Sequence, residues 1–138
     1  MYKFTNKNML TACAVMVQEG EKALYPVYGS MGQQMSFGGG ALNNTFGYAA
    51  VTDKNRLIVC RFNFLGMPVD NFSYSLYDMT KLNTSRFMKL HTLKMTFETP
   101  EGRKKVHIKA NEHVHGADFF CQELNLSNFI SYLEKFRR

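Results

Sequence analysis

The sequence predicts a mainly β fold of several antiparallel strands closed by one C-terminal amphipathic helix, the outline of a small β-barrel whose open end that helix plugs. Three stretches carry the expectation. Residues 46–62, FGYAAVTDKNRLIVCRF, read as a complete β-hairpin with two apolar arms and a polar turn. Residues 93–110 read as a second hairpin around Pro100-Glu101-Gly102-Arg103. From Ser127 onward, Phe129, Ile130, Leu133 and Phe136 recur on one helical face. A chain of 138 residues suits a single domain.

Taken in order, Asn8 to Gln18 is a short buried helix capped by Asn8, or a strand, since periodicity does not discriminate within so apolar a run. Met9 to Val17 is well short of the roughly 20 residues that span a bilayer as a helix. Leu10-Thr11-Ala12-Cys13 has the look of a lipoprotein box, but no apolar stretch precedes it. Gly20 ends the segment. Glu21 to Ser30 alternates weakly, and Pro26 demotes it to an edge or bulged strand. Gly29 to Gly40 is glycine-rich and reads as a loop, with a short strand around Met35 to Phe37 as an option; it lacks the Lys-Ser or Lys-Thr pair of a nucleotide loop.

In the central hairpin, Asp53-Lys54-Asn55 fits a three-residue loop with Asn55 in the left-handed position. That register pairs Thr52 with Arg56, Val51 with Leu57 and Ala49 with Val59. On the other face it sets Ala50 against Ile58, Tyr48 against Cys60 and Phe46 against Phe62. Both faces are apolar, so both must be covered. The inner one lines the barrel, and the outer one awaits the N-terminal segment or another molecule.

Beyond Gly66-Met67-Pro68, Asn71 to Leu76 alternates with Phe72, Tyr74 and Leu76 inward, and Tyr77 to Leu82 continues it through a bend at Asp78. Arg86 to Thr99 reads as one longer strand whose apolar phase changes near His91 and Thr92, which predicts a bulge. A four-residue loop then pairs Thr99 with Lys104, Phe97 with Val106, Met95 with Ile108 and Leu93 with Ala110. The opposite face, with Lys94, Thr96, Glu98, Lys105, His107 and Lys109, is solvated. Ser127 is the expected cap of the last helix, with Lys135, Arg137 and Arg138 at its C-terminal end.

The net charge of +6 permits an acidic partner, although the basic residues are scattered along the chain. Three cysteines without a pairing pattern suit reduced thiols and a cytoplasmic location.

Ala50-Val51-Thr52-Asp53-Lys54-Asn55-Arg56-Leu57-Ile58-Val59 resembles the "small-apolar-Thr-Asp-x-Arg-Leu-Ile-Val" hairpin of bacterial pleckstrin-homology-like (GRAM/bPH-type) domains, with one residue more in the turn. Gly20-Glu21-Lys22, the Tyr-Asp-Met-Thr-x-Leu run of residues 77–82 and Phe129 to Leu133 fall where that family has similar features. The resemblance implies a PH-like barrel of about seven antiparallel strands in two near-orthogonal sheets, capped by the C-terminal helix. Residues 20–138 would form the domain, with 1–19 as an apolar segment packed on it. It implies a binding and scaffolding role and no enzyme.

The candidate sites follow from these readings. The exposed aromatic face Phe46, Tyr48, Ile58 and Phe62 would serve protein–protein contact or self-association. The Gly29 to Gly40 loop has no Lys, Arg or His with which to hold a phosphoinositide, so contact with an anionic membrane would fall to Arg103, Lys104 and Lys105. A metal-dependent enzyme would need His113, His115 and Cys121, whose spacing matches no zinc motif. No Gly-x-Ser-x-Gly elbow or local Cys-His pairing marks a nucleophile, and Cys60 belongs to the core. The aromatics follow strand periodicity inward, which argues against nucleic acid. No cofactor and no small-molecule substrate are indicated. The reading is a non-enzymatic binding or assembly module with a protein partner, and peripheral association with an anionic membrane is the alternative.

Overall fold

In the computed structural model, which describes residues 2–35, 45–63, 65–114 and 119–137, seven antiparallel strands join in one hydrogen-bonded sheet. The elements run α1 (Asn6–Met16), β1 (Ala23–Met35), β2 (Thr45–Thr52), β3 (Arg56–Phe62) and β4 (Pro68–Ser75). After a 3-10 turn (Leu76–Asp78) come β5 (Met79–Phe87), β6 (Leu90–Thr99), β7 (Gly102–Asn111) and α2 (Gln122–Glu134). Their order across the sheet is β4-β3-β2-β1-β7-β6-β5. The mainly β fold with a C-terminal helix is as expected. The strands form one continuous ladder where the family resemblance implied two sheets.

That ladder curls on itself. Tyr74 of β4 lies 5.0 Å, ring to ring, from Phe97 of β6, although four strands separate β4 from β6 in the ladder. The inner face buries Val27, Val51, Leu57, Leu93, Phe97 and Ile108, and α2 closes it with Leu126, Phe129 and Leu133. Gln122 ties the helix to the sheet, donating to the Tyr28 carbonyl at 2.7 Å and accepting from the Tyr28 N–H at 3.1 Å.

The central hairpin has the predicted register, from Val51–Leu57 to Phe46–Phe62, and Asn55 has a φ of 60°. Thr52 Oγ1 accepts from the N–H groups of Lys54 and Arg56, both at 3.2 Å, which closes the loop. β1 is central in the sheet, and it is bulged between Leu24 and Val27, around Pro26. The bulge removes the ladder position at which the missing proline N–H would matter.

Four expectations are corrected. The second hairpin pairs Thr99 with Gly102, Phe97 with Lys104, Met95 with Val106 and Leu93 with Ile108, so its loop is the two residues Pro100 and Glu101. A slip of two leaves every side chain on its predicted face, which is why the apolar pattern does not detect it. The phase change near His91 is a chain reversal and not a bulge. β5 and β6 pair Phe87 with Leu90 across Met88-Lys89, a turn without the usual Gly or Asn in which Met88 takes φ 56°. Finally, α2 begins at Gln122, before Ser127, and α1 is capped by Thr5, whose Oγ1 accepts from Asn8 N at 3.1 Å.

The outer face of the sheet is divided. Over β2 and β3 it is covered by α1 and the residues before it: Met9 and Cys13 pack with Tyr48, Ala50, Ile58, Cys60 and Phe62. Tyr2 stacks on Phe62 at 4.6 Å, and its hydroxyl meets that of Tyr48 at 2.9 Å. Over β5, β6 and β7 no described element covers it.

Candidate functional site

The open half of the outer face is built by strand parity. Inward Leu82, Met95, Val106 and Ile108 fix the phase of β5, β6 and β7, so the alternate residues must point outward. These include Lys81, Lys94, Lys105 and Lys109, all exposed, and Arg103 and His107. Lys94 faces His107 directly, while Thr96 separates Lys81 from Lys105 in the rows across the strands. The carboxylate on these rows, Glu98, is already paired with Arg103 at 2.7 Å. The four lysines form no ion pair among the described residues. Burial and then the charges of Lys94, Lys105 and Lys109 hold the His107 imidazole below its ordinary pKa, a sign of the positive field over the face.

At one end this face turns apolar. Phe87 is 76% exposed and Met88 78% exposed, and Phe87 and Leu90 share the parity of the lysines. A groove of about 780 Å³ runs beside this turn, with Phe87, Met88 and Leu90 as its apolar part and Arg86, Lys89 and His113 as its basic one. The turn is held in place from β7. Glu112 Oε2 meets His91 Nε2 at 2.7 Å and Arg86 Nη2 at 3.1 Å, and Glu112 N donates to the Lys89 carbonyl at 2.9 Å. The hydrogen bond from His91 is the main reason that the Glu112 carboxyl titrates below its ordinary range. These groups border a polar cleft of about 510 Å³ against α2. With its carboxylate engaged by the Arg86 guanidinium and the His91 ring, the cluster works as an anchor for the turn.

The residues singled out from the sequence fall partly on this face and partly elsewhere. Tyr48, Ile58 and Phe62 are buried beneath α1 and the residues before it, and of that group Phe46 alone is exposed. Arg103 and Lys105 lie on the basic face, but Lys104 has the inward parity of Val106 and is buried. Cys121 is exposed at the start of α2, His113 borders the groove at the turn, and His115 lies outside the described residues. No group of three or more His, Cys, Asp or Glu suited to a metal occurs among the described residues. Residues 29–35 belong to β1, and the rest of the predicted Gly29 to Gly40 loop lies outside the described residues. Burial pushes the Cys60 thiol up to about 11 and Cys13 up to about 12, so neither is a ready nucleophile. Among the described residues no helix is long and apolar enough to cross a membrane.

No protein-family model and no curated protein matches the chain. Among solved structures it matches a Streptomyces coelicolor structure reported with mutations in SsgB that correlate to longitudinal cell division during sporulation. That match has 10% identity over 80% of this chain and 85% of the other, with a TM-score of 0.34. It also matches an SsgA-like sporulation-specific cell division protein from Thermobifida fusca, at 9% identity over 87% and 92% of the two chains, with a TM-score of 0.38. Neither is a pleckstrin-homology-like or GRAM-type protein, and the resemblance read from residues 50–59 is corrected accordingly. The Thr-Asp and Arg of that stretch have a local explanation. Thr52 closes the turn, Asp53 Oδ1 accepts from Lys22 N at 2.9 Å, and Arg56 meets Glu21 at 2.7 Å.

Proposed function

We propose that this chain is a non-catalytic binding module whose working surface is the open half of the outer sheet face, and that it takes a polyanionic partner. The observation that supports this most is the separation of charge: four unpaired lysines, with His107 among them, lie on rows whose carboxylate is already neutralised by Arg103. A partner with closely spaced negative charges gains from such a face more than from the same lysines scattered over the surface. The test is retention on immobilised heparin across a salt gradient. Lys94→Glu with Lys105→Glu should elute at clearly lower salt than the parent, while a control reversal away from the face, Lys7→Glu on α1, should shift it little. Equal elution of all three proteins would refute the reading.

Self-association is a second reading, favoured by the other end of the sheet. There the pairing of Phe46 with Phe62 and of Phe62 with Pro68 gathers exposed Phe46, Met67 and Val69 beside β4, an edge strand. Sedimentation should show a concentration-dependent dimer that Val69→Lys abolishes.

A further inference from the structure

We infer that the polyanionic partner is an anionic lipid bilayer, met by the lysines of β5, β6 and β7 while Phe87, Met88 and Leu90 at the end of the same face enter its apolar boundary. The inference rests on the basic face being the working surface, and adds what that surface meets.

Lysine rows alone would suit any polyanion, but they end in Phe87 and Leu90 on the same side of the sheet, with Met88 exposed in the turn between them. A duplex nucleic acid neutralises the lysines equally but keeps its bases stacked within and leaves Phe87 and Met88 in water, and a purely acidic peptide does the same. A bilayer offers phosphate and carboxylate groups at one depth and hydrocarbon just below, and an element tipped with apolar side chains and rimmed by basic ones fits that gradient. Lys89 follows the apolar pair in the turn, and its long stem can reach back to the headgroups, while Arg86 is held by Glu112 and by the Met88 carbonyl. Nucleic acid is further disfavoured because no Phe, Tyr or Trp is interleaved among Lys81, Lys94, Lys105 and Lys109, which leaves the partly buried His107 as the one ring among them on which a base could stack.

Met88 points the same way. It holds a left-handed φ of 56° in a two-residue turn, where Asn or Gly is favoured, and leaves its side chain exposed. A residue unfavourable for both backbone and solvation calls for a reason outside folding. The turn is also held in place: Glu112 binds His91 and Arg86 through its side chain and the Lys89 carbonyl through its N–H.

The experiment is co-sedimentation of the whole chain with phosphatidylcholine vesicles, with and without phosphatidylserine, over a range of salt. The parent should bind only the anionic vesicles, more weakly as salt rises. Phe87→Ser with Met88→Asn should weaken binding at least about tenfold, and each of Lys94→Glu and Lys105→Glu about fivefold or more. Asn suits the turn, so the tip variant keeps its fold, which circular dichroism checks. Three results would overturn the inference: no anionic vesicle binding at low salt, binding unchanged in the tip variant, or tighter binding to a DNA duplex than to the vesicles. Salt-sensitive heparin retention without vesicle binding would leave the broader reading standing, and loss of both would end the two together.

Discussion

The Glu21 carboxylate and the Arg56 guanidinium are joined by two hydrogen bonds, Nη2 to Oε1 at 2.7 Å and Nε to Oε2 at 2.9 Å, with the carboxylate out of contact with solvent. Thr52 Oγ1 also donates to Glu21 at 2.6 Å, and Arg56 reaches the Met16 carbonyl at 3.2 Å and Ser73 Oγ at 2.8 Å. One ion pair therefore links the end of α1, the start of β1, the central hairpin and β4.

This linkage predicts a specific acid sensitivity. The hydrogen bond from Arg56 is the largest cause holding the Glu21 carboxyl down to about 2, from an ordinary 4.5. Because the folded value is the lower one, the stabilisation is complete above about pH 4.5 and is lost as pH falls toward 2. The contribution is of order 2 kcal/mol. Thermal melts of the parent should lose stability across that window. Glu21→Gln should be less stable at neutral pH and show a shallower acid slope, and an unchanged slope would count against the linkage.

The pair also shows what was legible in the sequence. The central hairpin could be read to the residue because Asn55 and two apolar arms of matched length constrain one another. The partner of Arg56 could not, since Glu21 lies 35 positions away and no periodicity connects them. The basic face was half legible. Alternation placed Lys94, Lys105 and Lys109 outward, but Lys81 and the apolar turn were hidden while Arg86 to Thr99 read as one strand, because Met88-Lys89 carries no turn chemistry. The cover over Tyr48 and Phe62 was legible as a need and not as an answer.

Gly29 and Gly47 face each other across β1 and β2, and each lies against a neighbouring strand. A Cβ at Gly47 would overlap the Cys60 carbonyl oxygen, and one at Gly29 that of Lys109. Both obstacles are backbone, so the strands themselves would have to part. Gly47→Ala should cost about 3 kcal/mol or more by urea denaturation. Gly20→Ala, with open space but a φ of 77°, should cost only about 1 kcal/mol. Equal costs would refute the steric argument.

The thiols report on the cover over the outer face. Cys13 of α1 and Cys60 of β3 are buried against one another's surroundings and titrate high, whereas Cys121 is exposed. A colorimetric thiol reagent at neutral pH should therefore react quickly with one group, and Cys121→Ser should remove that phase. Met9→Asp, which puts a charge under α1, should release both Cys13 and Cys60, for three fast thiols in all, as α1 lifts from the sheet. Three fast thiols in the parent would mean that α1 is not docked in solution.

The turn at Met88 allows folding and binding to be separated. Its left-handed backbone costs an ordinary side chain roughly 1 kcal/mol, and Asn relieves part of that. Met88→Asn should thus raise the urea midpoint by the equivalent of about 0.5 kcal/mol without changing the slope of the transition. Glu112→Gln should act oppositely, because Arg86 and His91 lose the carboxylate that holds the turn. If Met88→Asn is neutral or destabilising, the methionine packs on something that favours folding, and its exposure does not imply a partner. If it stabilises the chain while weakening attachment to anionic vesicles, the methionine acts in binding at the expense of the fold, because a single substitution then moves the two quantities in opposite directions.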